Sequence, residues 1–312
     1  MGIKFIFCTK KSRDINYRIN IFKKGLDVCN SLFKNSKLNK KLIFVLGNNS
    51  IVDDKPFNSN QDYKKNYICL GSSPYQNMGL IKNLSKEKKA HNLILFGSNR
   101  YDKLVDNFKN ISGKWNEFKL KYNIFEEDYR INQKGFILLT LSNAIGWFGQ
   151  HKEKNWINNV KVIIKKIEKK TSRKIVIRLH PNNINHSENL ERKCPGFKKL
   201  IKKLKKKYEF NNTQPLIEIK DKIYAAIVVN GSICVELTCY GIPIFCFDKN
   251  FDKFMCSKIA LSDINLLNDL KLENLNNSKK REFLEWICSN CFFREEIENG
   301  YLFKKIYEIV SS

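Results

Sequence analysis

The strongest constraint on the fold is a repeated pattern. Apolar runs of about five or six residues alternate with longer polar stretches whose apolar residues recur at helical spacing. Residues 3–8, 41–46, 66–70 and 92–96 read as strands, and three of these four runs stop at a glycine, as βα units do when a strand gives way to a loop. Between the first two, residues 16–33 carry Ile19, Phe22, Leu26, Cys29 and Phe33 on one helical face. Residues 110–134 are polar and aperiodic, and the link between domains is placed there. A second series follows, with strands at 135–141, 174–179, 216–219, 225–229 and 244–247 and helices at 156–169, 197–210 and 232–240. Residues 279–310 read as a helical tail anchored by Trp286, Phe292, Phe293 and Tyr301. The pattern predicts an α/β protein with two Rossmann-like domains facing a cleft: an amino-terminal domain over 1–130, a carboxy-terminal one over 131–290 and a terminal helix over 291–312.

Composition narrows the classes. The chain has 312 residues, 42% of them hydrophobic, with 22 Phe, 12 Tyr and 4 Trp, so a large core is affordable and a disordered or fibrous chain is excluded. No apolar run approaches the roughly 20 residues that span a bilayer, and the first residues lack signal-peptide architecture. A soluble cytoplasmic protein is expected. The net charge of +26 suggests nucleic acid or an anionic membrane. The basic residues, however, are 48 Lys and 9 Arg, whereas readers of phosphate and guanine favour the planar fork of Arg. Nucleic acid is therefore the less favoured partner. The ten cysteines sit largely in apolar runs, as in a reducing compartment. Cys288 and Cys291 form a lone CxxC without a second pair to complete a metal site, so no metal is expected.

Two segments carry chemistry. In Ile-Val-Ile-Arg-Leu-His-Pro, a strand ends in Arg178, His180 and Pro181. Arg178 and His180 are two apart and share one face of the strand end. Arg can bond two phosphate oxygens and His can donate to a departing one. Pro181 ends the strand. In the second segment a strand runs into Asn230-Gly231-Ser232, then a helix carrying Glu236, then Gly241-Ile-Pro and another strand. Gly231 permits close backbone approach, Ser232 stands at a helix N-cap, and Glu236 is placed to meet a ribose or sugar hydroxyl. Gly241 also reads as a residue ending that helix. A third loop, Gly146-Trp-Phe-Gly149-Gln150, follows the first strand of the second domain, where Gly149 and Gln150 would approach a ligand. The very basic helix Phe197 to Tyr208 could lie on an anionic leaflet or simply cover the core.

Arg-x-His-Pro followed some fifty residues later by Asn-Gly-Ser-x-x-x-Glu and Gly-Ile-Pro resembles the GT-B glycosyltransferases. It is similar in particular to capsule-polysaccharide synthesis proteins of the Kdo-transferase type, to HP-motif bacterial sialyltransferases, and to a small phage and marine-bacterial group. That group also carries Gly-Trp, Trp and Thr-x-Arg ahead of the HP strand, here Gly146-Trp147, Trp156 and Thr171 to Arg173. Its Leu-Ser-Asp-Ile, Arg-Glu-x-x-x-Trp and Glu-Glu-Ile-x-x-Gly segments are matched at 261–264, 281–286 and 295–300. The resemblance spans about residues 135–305.

It implies a GT-B-like, metal-independent transferase without a cofactor, the nucleotide-sugar being substrate. His180, with Arg178, would contact the phosphate of a donor, a CMP-sugar being favoured, and assist its departure. Ser232 would bond the same phosphate, and Pro181, Asn230, Gly231, Glu236 and Gly241 would line the donor pocket. The acceptor implied is a surface polysaccharide or a lipid-linked glycan at the inner face of a membrane. Alternatives are a phage-type enzyme that glycosylates DNA bases and a non-catalytic nucleotide-binding relative. Two departures stand out: the second motif, often Ser-Ser, is Gly231-Ser232, and the acid-acid-Gly triplet that supplies the base is missing. Glu126-Glu127-Asp128 is the nearest acidic cluster and lacks the glycine.

Overall fold

The computed structural model describes residues 4–9, 13–34, 41–46, 67–72, 91–95, 114–141, 144, 156–228, 233–245, 261, 263–289 and 291–311. These fall into two compact units of α/β type. The first gathers the described residues up to 120 and those from 285 on, and the second those of 121–284.

The first unit holds β1 (Lys4–Thr9), β2 (Lys41–Leu46), β3 (Tyr67–Ser72), β4 (His91–Leu95) and β10 (Cys291–Phe292) in that spatial order. β1, β2 and β3 are parallel, as the sequence predicts. β4 runs antiparallel to β3, and β10 antiparallel to β4, so the sheet is mixed. The stretch expected to be all helix after 279 is thus interrupted by a short strand. Helix α1 (Arg13–Val28) packs on the helices Arg294–Glu298 and Tyr301–Ser311, with Phe22 edge-on to Phe303 at 5.9 Å. Part of the presumed linker is a helix as well, Lys114–Tyr122. Its Phe118 stacks on Phe293 at 4.5 Å, and the Lys114 ammonium, only 2% exposed, pairs with Glu296 beside the rings of Phe292 and Phe293.

The second unit is built on a parallel sheet ordered β7-β6-β5-β8-β9. The strands are β5 (Phe136–Leu141), β6 (Ile175–Leu179), β7 (Glu209–Phe210), β8 (Ile223–Val228) and β9 (Ile244–Phe245). Numbered within the unit this is 3-2-1-4-5, the Rossmann order. β5 and β8 are near-continuous apolar runs because helices cover both faces of such a sheet. The one hydroxyl in β5, on Thr140, donates to the Ile227 carbonyl at 3.2 Å. The helix Trp156–Glu168 buries Trp156, Val160, Ile163, Ile164 and Ile167, a three-four spacing that makes one apolar stripe. The helix Phe197–Lys207 buries Phe197, Leu200 and Leu204, and Phe197 lies 5.4 Å from Trp156. Its apolar face is therefore occupied by the core, and only lysines remain to meet an anionic leaflet. The run Leu216–Ile219, expected to be a strand, is a helical turn, with Leu216 and Ile219 buried three residues apart. Among the described residues, no helix is long and apolar enough to cross a membrane.

Candidate functional site

Ligands of a 3-2-1-4-5 sheet bind outside the carboxyl ends of the strands where the order reverses, here beyond β5 and β8. The chain brings four predicted residues to that end. Arg178 is the fourth residue of β6, His180 follows its last, and Pro181 opens the short helix Pro181–Asn185. Glu236 lies in the first turn of the helix Ile233–Cys239, which follows β8.

Arg178 is fixed by the chain that leaves β7. Its Nη1 donates to the Asn211 carbonyl at 3.2 Å, to Asn211 Oδ1 at 3.1 Å and to the Gln214 carbonyl at 2.8 Å. Asn212 extends the same clasp by accepting from the Leu179 amide at 2.9 Å. Burial lowers the proton affinity of the guanidinium, and the charge of Glu236 opposes that shift. Arg178 and Glu236, fifty-eight positions apart in the chain, are thus electrostatic neighbours. Glu236 is only 6% exposed. Tyr240, one turn on, has its hydroxyl buried without a hydrogen-bond partner among the described residues. Its pKa is raised by burial first, then by Glu236, Cys239 and Glu127.

His180 is half-buried, and burial pushes its imidazole below its ordinary value, so the ring is neutral near pH 7. Its carbonyl accepts from the Asn183 amide at 2.8 Å. The side chain of Asn183, 1% exposed, accepts from the Ala144 amide at 2.9 Å. Asn183 therefore joins the HP turn to the loop after β5, and sequence reasoning missed it. Its signal was slight, an Asn two residues past the proline, where such side chains cap local backbone.

Two predictions arise from these residues. Asn183→Ala leaves the buried Ala144 amide unpaired and is expected to cost about 1–3 kcal/mol of stability, read by urea unfolding. The second concerns pH. Below the ordinary histidine value near 6.5, the unfolded chain takes up a proton that folded His180 resists. The stability is complete above that value and declines as pH falls toward the folded value. The urea midpoint of the wild type is expected to drop more between about pH 7.5 and 5.5 than that of His180→Gln.

Gly241 is placed at the far end of the same helix. It adopts φ +64 and closes a Schellman motif: its amide donates to Thr238 O at 3.0 Å, and the Ile242 amide to Leu237 O at 3.0 Å. Termination of the helix explains this glycine. Glu126, Glu127 and Asp128 lie at that far end too. The Glu127 amide donates to Cys239 O at 2.8 Å, and its carboxylate pairs with Lys220 and Arg130. Lys280 pairs with Glu126 and Asp128. These acids are engaged by cations away from the HP turn and do not supply a base there. Asn230, Gly231, Ser232, Gly149 and Gln150 lie outside the described residues. Among the described residues no three His, Cys, Asp or Glu side chains gather to hold a metal ion, and Cys288 and Cys291 are buried and not joined in a disulfide.

No family model matches the sequence, and no curated protein does. Among solved structures, the chain is similar to KpsC from Thermosulfurimonas dismutans, a beta-Kdo 2,7-transferase, with 16% identity and a TM-score of 0.48 over 97% of this chain and 100% of that one. The UDP-GlcNAc 2-epimerase of Methanocaldococcus jannaschii, in complex with UDP-GlcNAc and UDP, gives 12% identity and 0.33 over 92% and 80%. Staphylococcus aureus MnaA with UDP gives 15% and 0.28 over 62% and 51%. All three fall below a TM-score of 0.5, where a likeness identifies neither activity nor ligand.

Proposed function

We propose that the chain is a glycosyltransferase of GT-B type that moves a sugar from a nucleotide donor, a CMP-sugar, to a surface polysaccharide or glycolipid. The observation that carries this reading is the cluster at the switch point of the second unit: His180 at the end of β6, with Arg178 and the buried Glu236 as charge neighbours. Pro181 fixes the turn that presents His180.

The chemistry is that of a departing phosphate. Neutral His180 donates a hydrogen bond to a phosphate oxygen, and an approaching anion raises its proton affinity toward full protonation as charge develops. Arg178 adds a fixed positive charge; apart from Nη1, its guanidinium donates to no protein acceptor among the described residues. Because Asn211 and Gln214 hold that group before any ligand arrives, it needs no reorganisation. Glu236 is placed for a ribose hydroxyl, and Asn230, Gly231, Ser232, Gly149 and Gln150 for the remainder of the donor.

Thermal unfolding with CMP, UDP and GDP tests this. A nucleotide at about 100 times its Kd adds roughly 2.7 kcal/mol, a rise of about 4 °C. CMP is expected to give that rise in the wild type and to lose most of it in His180→Ala. A rise with UDP or GDP alone reassigns the donor. No rise with any of the three removes the transferase reading. If CMP binds, a CMP-sugar incubated with glycan or DNA acceptors separates transfer to polysaccharide from base modification and from binding without turnover.

A further inference from the structure

The opposite, amino-terminal end of the second unit's sheet carries a feature unrelated to the donor cluster. The chain leading into each of three adjacent strands brings a cation there: Arg173 and Lys174 before β6, Lys134 before β5 and Lys222 before β8. Ile137 pairs with Ile175 and Phe136 with Ile223, so the three lead-ins lie side by side. Strands about 4.8 Å apart make this a row of cations roughly 10 Å long.

Two cavities open along the row. One, of about 420 Å³, is lined by Asn132, Lys134, Phe136, Arg173, Lys174 and Lys222, with no carboxylate. The other, of about 400 Å³, shares Arg173 and Lys174 and adds Glu168, Lys207, Tyr208 and Glu209. Their electrostatics differ. In the second, Lys207 and the Tyr208 hydroxyl both meet Glu168, and Lys174 pairs with Glu209, so apart from the Arg173 it shares with the first its charges cancel. In the first, Lys134 and Lys222 have no ion-pair partner among the described residues. Asp221, beside Lys222 in sequence, is committed to Arg130. Arg173 is held rigidly by neutral groups: its guanidinium lies 3.6 Å over the Tyr224 ring, and Nη2 donates to Gln133 Oε1 at 3.1 Å. Three uncompensated cations on fixed backbone repel one another until an anion enters.

We propose that this groove binds a saccharide chain, with an acidic residue, bearing carboxylate or phosphate, in the first cavity and a neutral residue in the second. The contrast between a cavity of three unpaired cations and one that is nearly balanced selects this ligand. A DNA strand carries a charge about every 3.4 Å of axis and would set phosphates into the nearly balanced cavity as well. A flat bilayer would enter neither. The inference does not rest on the transferase reading, because it concerns different residues at the other end of the sheet.

The probe is a fluorescent hyaluronan tetrasaccharide, in which glucuronate and N-acetylglucosamine alternate, titrated with the full chain. The double variant Lys134→Glu/Lys222→Glu replaces two exposed side chains and is checked for folding by circular dichroism. It is expected to weaken binding at least about tenfold, since two charged contacts to the anion are lost. Lys161→Glu/Lys199→Glu makes the same change in net charge on exposed helix positions and is expected to alter binding less than about twofold. Chitotetraose, uncharged, is expected to bind at least about tenfold more weakly than hyaluronan. The proposal is overturned by no binding of hyaluronan, by equal losses in the two double variants, or by equal affinity for chitotetraose. It is also overturned if a thymidine dodecamer or phosphatidylglycerol vesicles compete more strongly through Lys134 and Lys222.

Discussion

Gly241→Ala is expected to destabilise the protein by about 3–5 kcal/mol. Two penalties combine at this site. The residue occupies the left-handed region at φ +64, which costs a side-chain-bearing residue about 1–2 kcal/mol. An added Cβ would also drive into the Asp128 carbonyl, lying 2.7 Å from its carbon and 3.0 Å from Glu127 O. Neither backbone group can step aside easily, because the amides of Glu127 and Arg130 are bonded to Cys239 O and Gly241 O. Gly196→Ala is the internal comparison. Its φ is +89, but the nearest atom to an added Cβ is Ile157 Cδ1 at 3.5 Å, an ordinary contact. It should cost only about 1–2 kcal/mol. Urea unfolding of both variants separates steric exclusion from backbone strain, and near-equal losses would refute the role given to the Asp128 carbonyl.

Lys280→Ala is expected to cost about 3–4 kcal/mol, toward the lower end of the range for breaking a buried ion pair. The Lys280 side chain is 1% exposed; its ammonium donates to the Glu127 carbonyl and lies 3.8 Å from the Glu126 carboxylate. The Asp128 carboxylate at 3.9 Å is 86% exposed and adds little, because solvent screens it. Removing the ammonium takes a donor from that carbonyl and a cation from a largely buried carboxylate. Lys279→Ala, at the exposed neighbouring position, is expected to change stability by less than about 0.5 kcal/mol. A loss at Lys280 no larger than at Lys279 would show the segment to be held by backbone bonds alone.

These two positions show where the sequence was legible. In the second unit β5, β6 and β8 were readable because they are apolar runs with turn residues at their ends, and local composition decides such cases; β7 was not, since its two residues close the stretch 197–210 that reads as helix. Arg178 and His180 were readable because the spacing of a strand end is itself local. The clasp of Asn211, Asn212 and Gln214 on β6 was not, since nothing in its polar residues names a partner more than thirty positions away. The helix Lys114–Tyr122 was hidden by charged neighbours, its lysine at 114 being buried rather than solvated. Leu-Ile-Glu-Ile at 216–219 has strand composition, and only the burial of its first and fourth residues shows the helical turn. The acidic cluster at 126–128 invites a catalytic reading until Lys220, Arg130 and Lys280 are seen around it. Gly241 was readable as a helix terminator. The carbonyl it lies against was not.

The antiparallel pairing of β10 with β4 bears on how the chain matures on the ribosome. The second unit is nearly continuous in sequence, so its sheet can close while translation continues. The first cannot. The edge of β4 waits for residues 291–292, and α1 waits for the helices at 294–298 and 301–311. At about 5–20 residues per second, that interval lasts roughly 10–40 s. Throughout it, β4 keeps an unpaired edge and α1 an uncovered face, both closed only when residues 291–311 arrive.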